Sequence, residues 1–503
     1  MDRSGHPARD RRGGLSGGGT TTAAFADHLA ARLGDHAAAP PALAARAQAV
    51  FGTDGFAALL APSSPAAIAE ALALCSAEGW PVVPLGALTW PVGLPGTTVR
   101  NPASSTASAS AAGPASSSAA SGASASAAAA YSRPPVLLST ARLDRITEHE
   151  PADLVIGVQA GLPLRRLDQT LRASRQWLPL DPPAVIDATI GAVAGLGAAG
   201  PLRARHGTPR DMALGIEIAT GDGRLVRFGG RVVKNVAGYD GVRLAIGSRG
   251  SLGIITAIFL RVRGTPRADR TLALTCGTGI DGSRQGADLA RAVRDRMDGD
   301  ALELIAPAVA SRLSGIPADA GWTLLVRVLG STAAVDDSVD RLHALTGATG
   351  AGKGAVTEVP SAIWTALGDL EADARTAILL TGPTTTLPVG IQAAAEAHGP
   401  DASGGGWLIA AHAADGVIRM WQPGGPRPHA GHSAADLERL EAASATVGWT
   451  MRYDTIRAPG RVGPDGSEPA PGPADADGSD PVRTLTRRLR DVFDPAGILA
   501  GST

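Results

Sequence analysis

Two cysteines, Cys75 and Cys276, are all that 503 residues contain. That excludes a disulfide scaffold and a cysteine-ligated iron–sulfur cluster built by this chain alone. A reducing, cytoplasmic setting is the expectation. Neither sign of charge is in excess: 46 basic and 47 acidic residues leave a formal net charge of −1, so nothing points to nucleic acid or an anionic membrane. Lysine occurs only at Lys234 and Lys353. In a chain rich in alanine and glycine this marks a coding bias toward arginine, and arginine counts carry little functional weight. No run of about 18 apolar residues occurs, so no membrane-spanning helix is expected. Residues 1–22 lack the apolar stretch of a signal peptide and read as a disordered tail. His, Asp and Glu nowhere cluster with metal-ligand spacing, so no metal site is expected.

The length exceeds what one core usually holds, and two or three domains are the fair expectation. Residues Ala23 to Ala49 read as helix, and Ala66 to Glu78 repeats Ile68, Leu72 and Cys75 along one helical face. Trp80 to Pro84 is a short apolar strand. The stretch Ala103 to Ala130 holds only Ala, Ser, Thr, Gly and Pro and cannot bury enough apolar area to offset its ordering entropy, so 101–133 is expected to be a disordered insertion. Order resumes with strands at Val136–Thr140 and Asp153–Gln159, a helix at Leu164–Ser174, a hairpin turning at Gly221-Asp222-Gly223, and a strand at Gly253–Val262. Beyond Pro266 the signals weaken: strands at Leu302–Ile305, Trp322–Leu329 and Ala377–Leu380, and helices at Asp337–Leu345 and Ala434–Ala445. Residues 459–481 are a Pro/Gly/Asp-rich loop, and a helix over Val482–Phe493 closes the chain.

The most informative stretch runs from Asp187 to Gly200. Gly195, Gly197 and Gly200 match the G-x-G-x-x-G dinucleotide fingerprint letter for letter. That fingerprint must follow a strand and open a crossover helix. Here Pro201 follows directly, Gly207 and Pro209 oppose a long helix, and a hairpin comes next. The glycines instead belong to a short helix begun near Thr189, a good N-cap. Two readings stay open. A ligand lies against the bare backbone at Gly191, Gly195 and Gly197 with unpaired helix N–H groups receiving a phosphate or carbonyl, or the small residues let elements pack closely.

At this point the blocks line up with a known family. Val136–Pro151, Asp153–Gly161, Gln176–Pro183, Thr189–Ala194, Arg210–Gly215, Phe228–Asp240 and Gly247–Thr256 come in its order, with Phe493–Ile498 at the far end. The chain resembles the FAD-linked oxidases with the vanillyl-alcohol-oxidase (PCMH) type of flavin domain, and among them the FAD-binding E subunits of bacterial glycolate oxidase. The resemblance implies an α+β fold: a two-subdomain FAD-binding domain over 23–266, a smaller α+β C-terminal domain over 267–458, and a C-terminal helix and tail over 482–503. It implies a pyrophosphate loop at Pro84, Leu85, Gly86, Ala87, Leu88 and Thr89, although leucine stands at Leu85 where a basic residue is usual. It implies further cofactor contacts at Pro182, at Thr189, Ile190, Gly191, Ala192 and Gly195, and at Gly253, Ile254 and Ile255. The alternative for 84–90 is a plain strand-to-turn segment. Lys234 is either a specific point charge or a surface residue. With no histidine in 82–96, FAD is expected to be held non-covalently.

The implied activity is oxidation of a 2-hydroxy acid, glycolate or a relative. It needs a hydride acceptor, a base and a cation for the carboxylate. His412, Arg419 and Arg452 are the candidates in the C-terminal domain, without diagnostic spacing, so the catalytic residues stay unassigned. With no cluster cysteines of its own, the chain is expected to pass electrons to partners, a second flavin subunit and an iron–sulfur subunit, and any membrane association would run through them. Two alternatives remain: a non-catalytic assembly subunit that binds FAD weakly or not at all, and a stand-alone FAD-dependent alcohol or sugar oxidase.

Overall fold

The computed structural model describes residues 21–52, 55–88, 133–183, 188–230, 240–297, 299–349, 356–372, 376–397, 407–422, most of 440–453, and 481–499. The alanine–serine insertion, Thr89, the Lys234 block and nearly all of the 459–481 loop lie outside them.

Three sheets carry the chain. The first is parallel, with Val136–Ser139 in the centre and Ala58–Leu60 and Val82–Leu85 on its flanks. Helices Thr22–Leu33 and Pro65–Glu78 cover it, and Pro41–Phe51 packs near its C-terminal ends. The predicted single helix over 23–49 is two helices, because the prolines at 40 and 41 cannot continue the first and instead open the second. Helix Pro65–Glu78 is defined at both ends: the Ser64 hydroxyl accepts the Ala67 amide, and Gly79 stops it in the left-handed region at φ 66°. Ile68, Leu72 and Cys75 are buried along it as the periodicity requires. Burial pushes the Cys75 thiol up to about 12 and the Cys276 thiol to about 11, so both stay protonated and inert.

The second sheet has five strands, all antiparallel: Ile146–Glu150, Val155–Gln159, Ile254–Arg261, Ala213–Ala219 and Leu225–Gly229 in spatial order. Helices Leu164–Ala173 and Ile190–Leu196 pack on one face through Leu164, Leu167, Leu171, Ile190 and Val193. The pleat sends neighbours to opposite sides: Ile255 joins this core, while Ile254 joins the core of the parallel sheet. One strand therefore cements the two halves of the domain. The antiparallel order leaves no crossover after Gly200, where one-turn helices Arg203–His206 and Pro209–Met212 lead straight into Ala213–Ala219. That disposes of the dinucleotide fingerprint.

The third sheet has eight strands, with every described pairing antiparallel, in the order Val356–Val359, Ala268–Thr275, Thr323–Gly330, Ala301–Ile305, Leu408–His412, Val417–Gln422, Thr376–Thr381, Thr450–Tyr453. Helices Gly279–Arg296, Thr332–Thr349 and Leu387–Ala397 bury one face. The other face, with Ile305, Ala410 and Trp421, meets helix Ile363–Ala372 and Leu202 of the preceding domain. After helix Pro481–Phe493 the chain returns to the parallel sheet: Val82 donates to the Ile498 carbonyl at 2.7 Å, and the Asp494 carboxylate takes the amides of Ile498 and Leu499. Among the described residues no helix is long and apolar enough to cross a membrane.

Candidate functional site

Three segments converge at the end of strand Val82–Leu85. A Cβ on Gly86 would stand 2.7 Å from the Thr189 hydroxyl and 3.3 Å from the Ala192 methyl, so the loop after the strand lies directly on the start of helix Ile190–Leu196. The turn 247–253 closes the third side. Gly247 and Arg249 donate to the carbonyls of Ala194 and Gly195 at 2.9 and 2.8 Å, and Gly250 packs on the Pro84 ring. Four positive φ values fall within seven residues, at Gly247, Arg249, Gly250 and Gly253. Three of the four are glycine, the residue for which this backbone costs least.

The loop 86–88 is shaped by its carbonyls. Ser139 Oγ donates to the Gly86 carbonyl at 2.8 Å, and Arg46 Nη1 donates to the Ala87 carbonyl at 3.0 Å. A trans peptide points its N–H opposite its C=O. The N–H groups of Ala87 and Leu88 are therefore turned away from both pins, and neither meets an acceptor among the described residues. Leu88 sits at φ 51°. Successive free amides running into a left-handed residue make a concave donor array suited to an anion. The Leu85 side chain is buried beside Phe51 and Leu137, so the residue that replaces a usual basic one faces the core and leaves this array clear.

The helix at Thr189 differs from expectation. Its N-cap is as predicted, with the hydroxyl accepting the Ala192 amide. Its remaining first-turn amides are not free: Ile190 donates to Leu162 at 3.0 Å and Gly191 to Ala160 at 2.7 Å. Gly191 is pressed on Ala160, where a Cβ would lie 2.6 Å from that methyl, and Gly197 is the left-handed C-cap packed against Gly247. Close packing thus accounts for Gly191 and Gly197. Gly195 alone fronts open space, with nothing within 4 Å of an added Cβ. Pro182, Ile190, Ile254 and Ile255 are buried, so their side chains belong to the cores and only their backbone can face a ligand.

A second polar group lies where the eight-stranded sheet meets the flavin domain. Glu303 and His412 are cross-strand partners, and Ala410 is the partner of Arg419. His412 Nδ1 is 2.6 Å from Glu303 Oε2, and the Arg419 guanidinium is held by both Glu303 and Glu371. From the other side Arg203 pairs with Asp415 at 2.6 Å, and His206 with Asp300 at 3.0 Å. Burial works against a charged imidazole, but the Glu303 carboxylate outweighs it and raises His412; burial alone would raise Glu303, and Arg419 with His412 holds it low. Asp181, whose two oxygens take the Leu202 amide, is pushed by burial to about 7.

Of the three sequence candidates, His412 and Arg419 are thus brought together. Arg452 lies one strand further out, opposite Leu379, as Arg419 does on the other side. Glu303, Glu371, Asp300, Arg203 and Asp181 were not anticipated. The visible signal for Glu303 is an acid inside the otherwise apolar strand Ala301–Ile305.

Comparison with known proteins accords with the convergent loops. A family model described as FAD binding domain matches residues 108–229. The chain is 44% identical over 128 residues to glycolate oxidase subunit GlcE of Escherichia coli (strain K12), covering 25% of this chain and 37% of that protein. It is 27% identical over 216 residues to glycolate oxidase subunit GlcD of Bacillus subtilis (strain 168), covering 42% and 45%. It therefore spans less than half the length of each of these two relatives. The fold follows alkyldihydroxyacetonephosphate synthase with a TM-score of 0.60 at 13% identity, over 88% of this chain and 77% of that one. The free amides at 87–88 and the open backbone at Gly195 fit such a cofactor, and the chain carries an FAD-binding domain of the PCMH type.

Proposed function

We propose that the chain is the FAD-binding subunit of a 2-hydroxy-acid oxidoreductase of the glycolate-oxidase kind, held in a complex that takes its electrons onward. The observation that carries this is the anion-shaped loop at Ala87–Leu88 set against the start of helix Ile190–Leu196, within a region 44% identical to a glycolate oxidase subunit. In this reading the amides of 87–88 hold the pyrophosphate, and the backbone at Gly195 and Gly253–Ile255 lines the rest of a non-covalent site. Bound FAD would supply the two-electron acceptor for the substrate's C–H hydride. The chain's own residues bind, orient and exclude water around it.

The substrate side is less open to an anion. A carboxylate clamp needs an arginine with charge to spare, and Arg419 already faces Glu303 and Glu371. His412, raised by Glu303, keeps its proton to higher pH than a free imidazole and can serve as a base only above that point. This specific pairing favours a second reading, a subunit that holds FAD without oxidising the hydroxy acid itself.

The visible spectrum of the purified chain tests the first claim. Near-stoichiometric flavin absorbance is expected, and a folded, colourless chain that ignores added FAD would refute it. Anaerobic addition of glycolate or D-lactate then separates the readings: bleaching of the flavin band supports catalysis, and a band that no 2-hydroxy acid bleaches supports the second. Full turnover by the isolated chain would argue for a stand-alone oxidase.

A further inference from the structure

The helix Pro481–Phe493 is fixed to the molecule through its last residues. Phe493 packs on Phe228 with ring centroids 6.1 Å apart, its carbonyl accepts the Gly221 amide at 2.8 Å, and Arg224 reaches the Val492 carbonyl at 3.0 Å. At about 100° per residue, Phe493, Leu489, Leu485 and Val492 lie side by side around the helix. Phe493 faces the core and Leu489 is half-buried, but Leu485 is 58% exposed and Val492 59%. They are the two most exposed large apolar residues among those described. The spacing from Val482 through Leu485 and Leu489 to Val492 is three, four and three, the spacing of a coiled-coil seam.

We infer that this seam docks an amphipathic helix of a different polypeptide, apolar along one line and acidic on its flanks. Charge decides the occupant. The helix sequence carries Arg483, Arg487, Arg488 and Arg490 against one acid, Asp491, and Arg488, next to Leu489, is exposed. Residues flanking a seam select partners of opposite sign. A second copy of this chain in a symmetric pair would bring arginine to arginine. The preceding stretch 463–480 has acids, but it holds only Gly, Pro, Asp, Ser, Glu and Ala and cannot fill an apolar seam. A strict seam is also narrower than the broad apolar face that lies on a lipid surface. The inference does not depend on flavin occupancy, since the helix lies apart from the loop at 86–88.

The probe is a synthetic heptad helix with leucine at the seam and glutamate on the flanks, added to the full-length chain and followed by fluorescence anisotropy. A control peptide keeps the seam and places lysine on the flanks. The glutamate peptide is expected to bind at least tenfold tighter than the lysine peptide, with affinity falling as salt rises. Leu485→Asp and Val492→Asp are expected to abolish binding with the far-UV spectrum and flavin content unchanged. Three outcomes would overturn the inference: equal binding of both peptides, concentration-dependent self-association that the two variants abolish, or binding to phosphatidylglycerol vesicles but not to the glutamate peptide.

Discussion

At Gly191 and Asp181 the physical forces can be weighed one side chain at a time. Gly191 lets helix Ile190–Leu196 lie on the Ala160 carbonyl, 2.7 Å from where a Cβ would stand. Gly191→Val is expected to cost about 2–3 kcal/mol by overpacking, read as a lowered urea midpoint with unchanged slope. Asp181 argues through pH. Its folded carboxyl sits at about 7 against an ordinary 3.8, so the folded state binds more protons than the unfolded one between those values, and stability falls as pH rises through that window. Asp181→Asn removes the dependence. Relative to the native chain it is expected to gain about 2 kcal/mol between pH 4 and pH 8, after discounting for the residue's remaining exposure. A constant difference across that range would show that Asp181 ionises normally. The sequence made Thr189 legible, because an N-cap depends on residues three apart. It could not reveal that the Ile190 and Gly191 amides are spent on Leu162 and Ala160, since those acceptors come from a distant turn.

Among the elements, what was readable followed local pattern and what was missed did not. Helix Leu164–Ala173 and strand Val136–Ser139 show their period or apolar run within a few residues. Helix Gly279–Arg296 begins Gly-Ile-Asp-Gly with two more residues before arginine and glutamine and another glycine at Gly286, a composition that argues against helix. It forms because Gly286 lets it settle against Leu304 and because Leu289, Ala290 and Val293 are buried there, a contact no local window contains. The same holds for strand Leu408–His412, whose alanines become strand only between two partners. The loop at 86–88 is likewise made by its neighbours. Ser139, one strand over, pins the Gly86 carbonyl, and losing such a bond costs about 1 kcal/mol. Ser139→Ala is expected to weaken FAD binding about fivefold, measured by quenching of flavin fluorescence on titration, with Ser139→Thr retaining most of the affinity. Equal affinities in all three chains would mean that the carbonyl pin does not shape the loop.

For the whole molecule, the question is what couples the sheet of the last domain to the flavin domain. Apolar contact contributes through Leu202 and Trp177 against the face that holds Trp421 and Ile305. Direction comes from two short ion pairs that cross between the domains, Arg203 to Asp415 and His206 to Asp300. Asp300 also takes the Leu329 amide at 2.7 Å, so His206 is anchored to the backbone of the central strands. Removing one partner of a part-buried pair leaves the other unpaired, at about 1–3 kcal/mol each. Their loss should therefore act on the coupling more than on either core, because neither residue belongs to the apolar clusters that stabilise the two halves. In the Arg203→Ala, His206→Ala double variant, calorimetry is expected to resolve the single melting transition into two, the lower one from the eight-stranded domain. Flavin should be released with the upper transition, since the loop at 86–88 and helix Ile190–Leu196 sit wholly on the other side. If instead one transition persists and merely shifts downward with flavin loss, the two domains form one cooperative unit through their apolar contact, and the ion pairs only add to it.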